Sequence, residues 1–247
     1  MTTAHRQRRS WTHPVMGTQM SLHLRGSHLD TDPAVRPAVA AVFEHLRTAD
    51  ELFSTYRPDS QVSAIRRHEL SPEHGHPWVT EVVALCEEAR ERTEGYFDAW
   101  LPGGFDPSGL VKGWAAERAA AHLAHLRGVD HYLNAGGDIT GHVATAQHPA
   151  WQVAIQDPRH ADAFLTVLEL RTGGVATSGS TERGRHIVDP HTGRRPGELL
   201  AVTVTGPTLL WADVFATAAF ARGGHDLEHW VATRAPGYRV AALARAP

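Results

Sequence analysis

Alternating and helical hydrophobic patterns follow one another along this chain without a strand–helix–strand rhythm, and that irregularity is the tightest constraint on its fold. Thr18 to Leu24 alternates, with Met20, Leu22 and Leu24 on one face, and predicts a strand. Val35, Val39, Val42, Phe43 and Leu46 fall at helical spacing, and Pro33 and Pro37 suit the first turn. Val82, Val83, Leu85, Cys86 and Ala89 predict a second helix, ended by Gly95. A third helix is expected from about Trp114 to Leu126, and a fourth from near Thr208 to just before Gly223. Further strands are expected at His131–Leu133, Trp151–Ile155, Leu165–Leu170, Val202–Thr205 and Tyr238–Leu243. Asn134–Asp138, Thr177–Gly179 and Asp189–Gly193 read as loops between them. A doubly wound parallel sheet needs regular βαβ units, so this pattern predicts an α+β fold. No linker divides the chain. Residues 15–247 are expected to form one domain, and residues 1–14, polar and basic, a short frayed tail.

With 247 residues the chain can bury a sizeable core without disulfides or structural metals. Its 24 basic and 27 acidic residues give a net charge of −3, too even to point to nucleic acid or an anionic membrane. The single cysteine, Cys86, lies on the apolar side of its helical pattern and reads as a buried thiol. No apolar run approaches the roughly 18 residues of a membrane span. Arg8-Arg9 is not followed by the apolar stretch of an export signal, so a cytoplasmic location is expected. Of the 24 basic residues only one, Lys112, is lysine. An ammonium and a guanidinium are not interchangeable, which draws notice to that position.

Lys112 closes the run Phe105-Asp-Pro-Ser-Gly-Leu-Val-Lys-Gly113, which leads into a helix. Glycines let backbone approach a ligand and a helix N-terminus favours anions, so the run suits a phosphate; a plain loop-to-helix turn explains it equally well. Asp213 and Thr217, four apart, share one helix face. A carboxylate and a hydroxyl one turn apart are hard oxygen ligands suited to Mg²⁺, and on residue types alone a solvated or capping pair is the commoner reading. His225-Asp-Leu-Glu-His229 fits a zinc-peptidase pattern, but with 18 histidines a chance match is cheap, and a solvated helix face is the better reading. Asn134-Ala-Gly-Gly-Asp138 is a poor dinucleotide fingerprint and a good tight turn. His186, beside apolar residues, suits packing as well as proton transfer.

In order along the chain these segments resemble the ApbE family of FAD:protein FMN transferases. The resemblance rests on Met16-Gly-Thr18, on Phe53 to Ser60 as S-x-Y-x-x-x-S, and on Gly95-Tyr-Phe-Asp98 as G-x-F-D. It continues with Asp106 to Gly113 as D-x-x-G-x-x-K-G, Asn134 to Asp138 as N-x-G-G-D, and Thr177-Ser-Gly179. His186 to Gly193 follows as H-I-x-D-P-x-T-G, and Ala212-Asp213 with Thr217 as A-D-x-x-x-T. The chain departs from the family in short loops after Asp98 and Gly179, and in Glu117 where an Asp is usual, a change that keeps a helix contact.

The resemblance implies a single domain with a mixed, largely antiparallel sheet flanked by helices. It implies transfer of FMN from FAD to a Ser or Thr of an acceptor protein, with AMP as leaving group and Mg²⁺ as cofactor. Carried over by residue, Asp213, Thr217 and the Gly109 carbonyl would hold the metal. Met16, Tyr56, Tyr96, Phe97, Asp98, Asp106, Lys112, His186 and Ile187 would contact FAD. Lys112 would also serve the transfer, and His186, with an ordinary pKa near 6.5, would be the general base, with Asp189 next in line. Two other readings stay open: an FAD pyrophosphatase, in which water replaces the acceptor, and a non-catalytic flavin-binding protein.

Overall fold

The structure, a computed structural model, describes residues 6–100, 103–179, 187–194, 196–197 and 199–246. It opens with β1 (Gln7–Val15) and β2 (Thr18–Gly26), followed by α1 (Val35–Phe53), α2 (Gln61–Arg66), α3 (Pro77–Arg92) and α4 (Ser108–Ala121). Six strands come next: β3 (Asp130–Ala135), β4 (Asp138–His142), β5 (Trp151–Asp157), β6 (His160–Leu170), β7 (Thr172–Gly179) and β8 (Leu199–Gly206). The last elements are α5 (Leu209–Arg222), α6 (Leu227–Arg234) and β9 (Arg239–Arg245).

Seven strands form one sheet in the order β1-β2-β3-β4-β7-β8-β9, and β5 and β6 form a separate hairpin. Every pairing among the described residues is antiparallel, a stricter arrangement than the mixed sheet expected. The period of two in β2 sends Met20, Leu22 and Leu24 to one face, where Leu22 lies opposite Leu133. These side chains are buried beneath the helices, with Leu46, Leu110 and Phe215 in the same core. On the other face, Val153, Ile155 and Leu170 of the β5–β6 hairpin pack against Val175 of β7. That hairpin reaches β2 and β3 through Trp151, which meets Arg25 and Tyr132, and it leaves Ser10, Thr12, His23 and Tyr132 exposed or half-buried.

Residues 7–14 are not a frayed tail. Gln7–Val15 pairs with β2 from Gln7↔Gly26 to Val15↔Thr18. As an edge strand it has little apolar alternation to betray it, since most of its side chains face solvent; the backbone ladder and half-buried Trp11 hold it. The helix expected from Trp114 starts earlier, at Ser108, and ends at Ala121. Its two glycines, which read as loop, are where another helix comes close. Thr177–Gly179 is likewise not a loop but the end of β7, with Thr177 opposite Thr203. Asn134–Asp138 is the tight turn expected: Gly136 (φ 64°) and Gly137 (φ 102°) form a two-residue hairpin between β3 and β4. Cys86 is buried, which pushes its thiol pKa up. No helix among the described residues is long and apolar enough to cross a membrane.

Candidate active site

The seam between α4 and α5 builds the site. Gly113 lets the helices touch: a Cβ there would sit 3.0 Å from the Leu209 carbonyl oxygen and 3.1 Å from the Asp213 Cβ. Its amide donates to Asp213 Oδ2 at 3.2 Å. In regular helix geometry the same amide serves the Gly109 carbonyl, so Asp213 and that carbonyl gather around one N–H. Gly109 is tight as well, since a Cβ would meet Phe97 at 3.2 Å and Thr217 at 3.4 Å and a neighbour would have to give way. Thr217 Oγ1 lies 3.0 Å from Ser178 Oγ of β7. Gly109, Asp213 and Thr217, brought together by the fold, line one cavity of about 270 Å³. Asp213 is 3% exposed, a buried carboxylate that needs partners.

Lys112 lines the same cavity and forms an ion pair with Asp138. Asp138 is buried at the end of the β3–β4 hairpin, where Oδ1 accepts the Thr177 amide at 2.9 Å. In the sequence Asp138 is only the last residue of a turn motif. The signal was an acidic residue directly after a glycine pair, but the Lys112 partnership is a contact between distant segments. Ser178, the middle residue of Thr177–Gly179, likewise carries no local signal of its contact with Thr217.

The cavity wall comes from the loop after α3. Thr93 Oγ1 accepts the Phe97 amide at 3.0 Å, which seats Phe97 in the core and turns Tyr96, Phe97 and Asp98 toward the cavity. Asp98 is braced by Arg90, whose Nε donates to it at 3.1 Å. Asp106 accepts the Ser108 amide at 3.0 Å, a side-chain turn that leads through Pro107 into α4. Ile187 completes the lining. Tyr56, 91% exposed, stands between this cavity and a neighbouring one of about 330 Å³, and Lys112 borders both. Met16 lines only the second, so the structure does not put it among the other residues. It has φ 53° in the β1–β2 turn, a strained value for a side chain this large.

His186 lies outside the described residues. Asp189 closes a turn instead of lining the cavity: its Oδ1 accepts the His191 amide at 2.9 Å and its Oδ2 the Thr192 hydroxyl at 2.8 Å. His191 Nε2 meets the Glu94 carbonyl at 2.9 Å, tying this segment to the end of α3. Glu117 keeps the expected helix contact, with Oε2 accepting the Leu210 amide at 3.1 Å at the start of α5. Burial raises its pKa, and the Leu210 and Leu209 amides oppose that rise. His225 and His229 are exposed at the start of α6, away from the cavity.

Comparison with known proteins gives one consistent result. A model of the ApbE family matches residues 16–103 and 101–242. The FAD:protein FMN transferase of Escherichia coli is 35% identical over 130 residues, 48% of this chain but 36% of that protein's length. The Vibrio cholerae protein of the same description is 29% identical over 129 residues, covering 48% of this chain and 38% of its own length. The matched stretch thus spans little more than a third of these curated relatives. The fold resembles the ApbE protein of Thermotoga maritima, with TM-score 0.81, 21% identity and 97% of each chain covered. It also resembles flavinyl transferase ApbE of Pseudomonas stutzeri, with TM-score 0.78, 21% identity, and 98% of this chain and 96% of that one covered.

Proposed function

The chain belongs to the ApbE family, and from that premise we propose that it transfers FMN from FAD to a Ser or Thr hydroxyl of an acceptor protein, releasing AMP, with Mg²⁺ as cofactor. The observation that carries this reading is the meeting of Lys112, Asp213, Thr217 and Gly109 at one cavity beside an aromatic wall. Asp213, the Thr217 hydroxyl and the Gly109 carbonyl are all oxygen donors. One protein carboxylate fits a metal that completes its shell with waters and substrate phosphates. Such an ion, when bound, neutralises charge on the FAD pyrophosphate.

The chain's own residues do the rest. Lys112, steadied by Asp138, meets the phosphates as a compact cation with rotatable donors. Tyr56, Tyr96 and Phe97 offer ring faces to the flavin or adenine, and Asp98 and Asp106 accept hydrogen bonds from those rings. Met16 and Ile187 supply apolar contact. The acceptor oxygen attacks the FMN phosphorus while the bond to AMP breaks, and the hydroxyl proton passes to His186.

The deciding measurement is mass spectrometry of candidate acceptors after incubation with the protein, FAD and Mg²⁺. A gain of one FMN on a Ser or Thr, with AMP released, is the expected result. His186→Ala should lose about 10²–10⁴-fold in rate while still binding FAD. AMP and free FMN without an adduct would make the protein a pyrophosphatase, and FAD binding without turnover would make it a flavin-binding protein.

A further inference from the structure

Far from that site, the uncovered face of β1–β3 holds a cavity of about 370 Å³. Its floor is His23 stacked on Tyr132, with ring centroids 4.3 Å apart and planes within 9°. Arg8, Arg9 and Ser10 of β1 wall one side, and Trp151 and Gln152 of β5 the other. No carboxylate lines it. Arg25, 4% exposed, lies beneath: its Nε donates to Asp130 at 2.9 Å, its Nη2 is ion-paired with the same carboxylate at 2.8 Å and donates to the Pro149 carbonyl, and its guanidinium carbon lies 4.1 Å from the centre of the Trp151 ring. Arg9 is paired with Asp30 and its Nη1 donates to the Arg8 carbonyl at 2.7 Å, whereas the exposed Arg8 guanidinium makes no hydrogen bond or ion pair among the described residues.

Guanidinium groups match phosphate oxygens, and ring faces take flat heterocycles. Burial lowers the His23 pKa, so at neutral pH the imidazole is an uncharged stacking surface. Tyr132 covers one of its faces. The other turns toward Ser10, the small residue opposite His23 in the β1–β2 register, which leaves room for another ring. The volume falls in the range of about 300–1,000 Å³ usual for small-ligand pockets. We propose that this cavity binds a nucleoside 5′-monophosphate, its base stacked on His23 above Ser10 and its phosphate held by Arg8 and Arg25. The site is separate from the transfer cavity: the two share no lining residue, and this one opens on the sheet face opposite the helices.

GMP is a suitable probe, since it is neither donor nor product of the proposed transfer. Calorimetric titration of the full chain should show saturable GMP binding, weaker at higher salt, and unchanged in Lys112→Met. Arg8→Glu should weaken it about tenfold or more and His23→Ala several-fold, with melting temperatures and AMP release as in the wild type. Inorganic phosphate alone and guanosine alone should each bind more weakly than GMP. The proposal fails if GMP does not bind, if phosphate binds as well as GMP, or if binding is lost in Lys112→Met and kept in Arg8→Glu.

Discussion

The Gly113 amide of α4 meets the Asp213 carboxylate of α5 at 3.2 Å, so the acidic group of the site is oriented by the backbone of the helix that also carries Lys112. The contact exists only because position 113 has no side chain. Gly113→Ala should push the helices apart against the Leu209 carbonyl and Asp213. The cost should be about 1–3 kcal/mol, the usual range for overpacking, with a drop in turnover larger than the drop in FAD affinity. Urea denaturation and FAD titration measure the two effects separately, and a wild-type seam in the alanine variant would overturn the packing argument.

Asp213→Ala should abolish Mg²⁺-dependent turnover while the protein stays folded. Thr217→Val should weaken it less, because a neutral hydroxyl contributes less than a carboxylate to a hard cation. Activity followed across a Mg²⁺ series tests both; normal activity in Asp213→Ala would remove this seam from the metal's coordination.

Lys112, half-buried at the cavity, and Asp138, buried, should behave as a coupled pair. Removing one partner of a fully buried pair costs about 3–5 kcal/mol; here the larger loss should follow removal of Lys112, which leaves the Asp138 charge buried alone. Lys112→Met and Asp138→Asn should each destabilise the fold, and the double variant should cost clearly less than the sum. Lys112→Arg keeps the charge but brings a broader, planar group, and should slow AMP release without large loss of stability. Additive stabilities in the double-mutant cycle would mean the pair is not coupled.

Stability should fall on mild acidification. Burial lowers the His131 pKa to about 4, with His142 adding to the shift. The folded chain therefore holds His131 neutral where the unfolded chain, with a pKa near 6.5, takes up a proton. The stability from this group is complete above pH ~6.5 and is lost as pH falls toward its folded value, about 2 kcal/mol by pH 5. Denaturation midpoints at pH 7 and 5 should differ by less in His131→Leu than in the wild type.

Local patterns made much of this molecule legible. The alternation of Met20, Leu22 and Leu24 gave a strand its face, and the spacing of Asp213 and Thr217 gave a helix its polar pair. What escaped depends on neighbours. β1 carries mostly solvent-facing side chains, so only pairing with β2 declares it a strand. Gly109 and Gly113 read as loop because glycine is costly inside a helix, yet here the cost is outweighed by contact with α5. Asp138, and the bond between Ser178 and Thr217, join segments far apart in sequence, and no local period reports such a meeting.

The spatial order of the seven-stranded sheet, β1-β2-β3-β4-β7-β8-β9, repeats the order in which the strands leave the ribosome. A nascent chain can extend the sheet from one edge to the other, each strand meeting a partner already made, although β2 waits through four helices for β3. The cavity does not share that convenience. Gly109 and Lys112 are synthesised well before Asp213 and Thr217, so the site is completed only when α5 docks, with α6 and β9 still to follow. Binding capacity is thus acquired late in the assembly of this fold, after most of the sheet is in place.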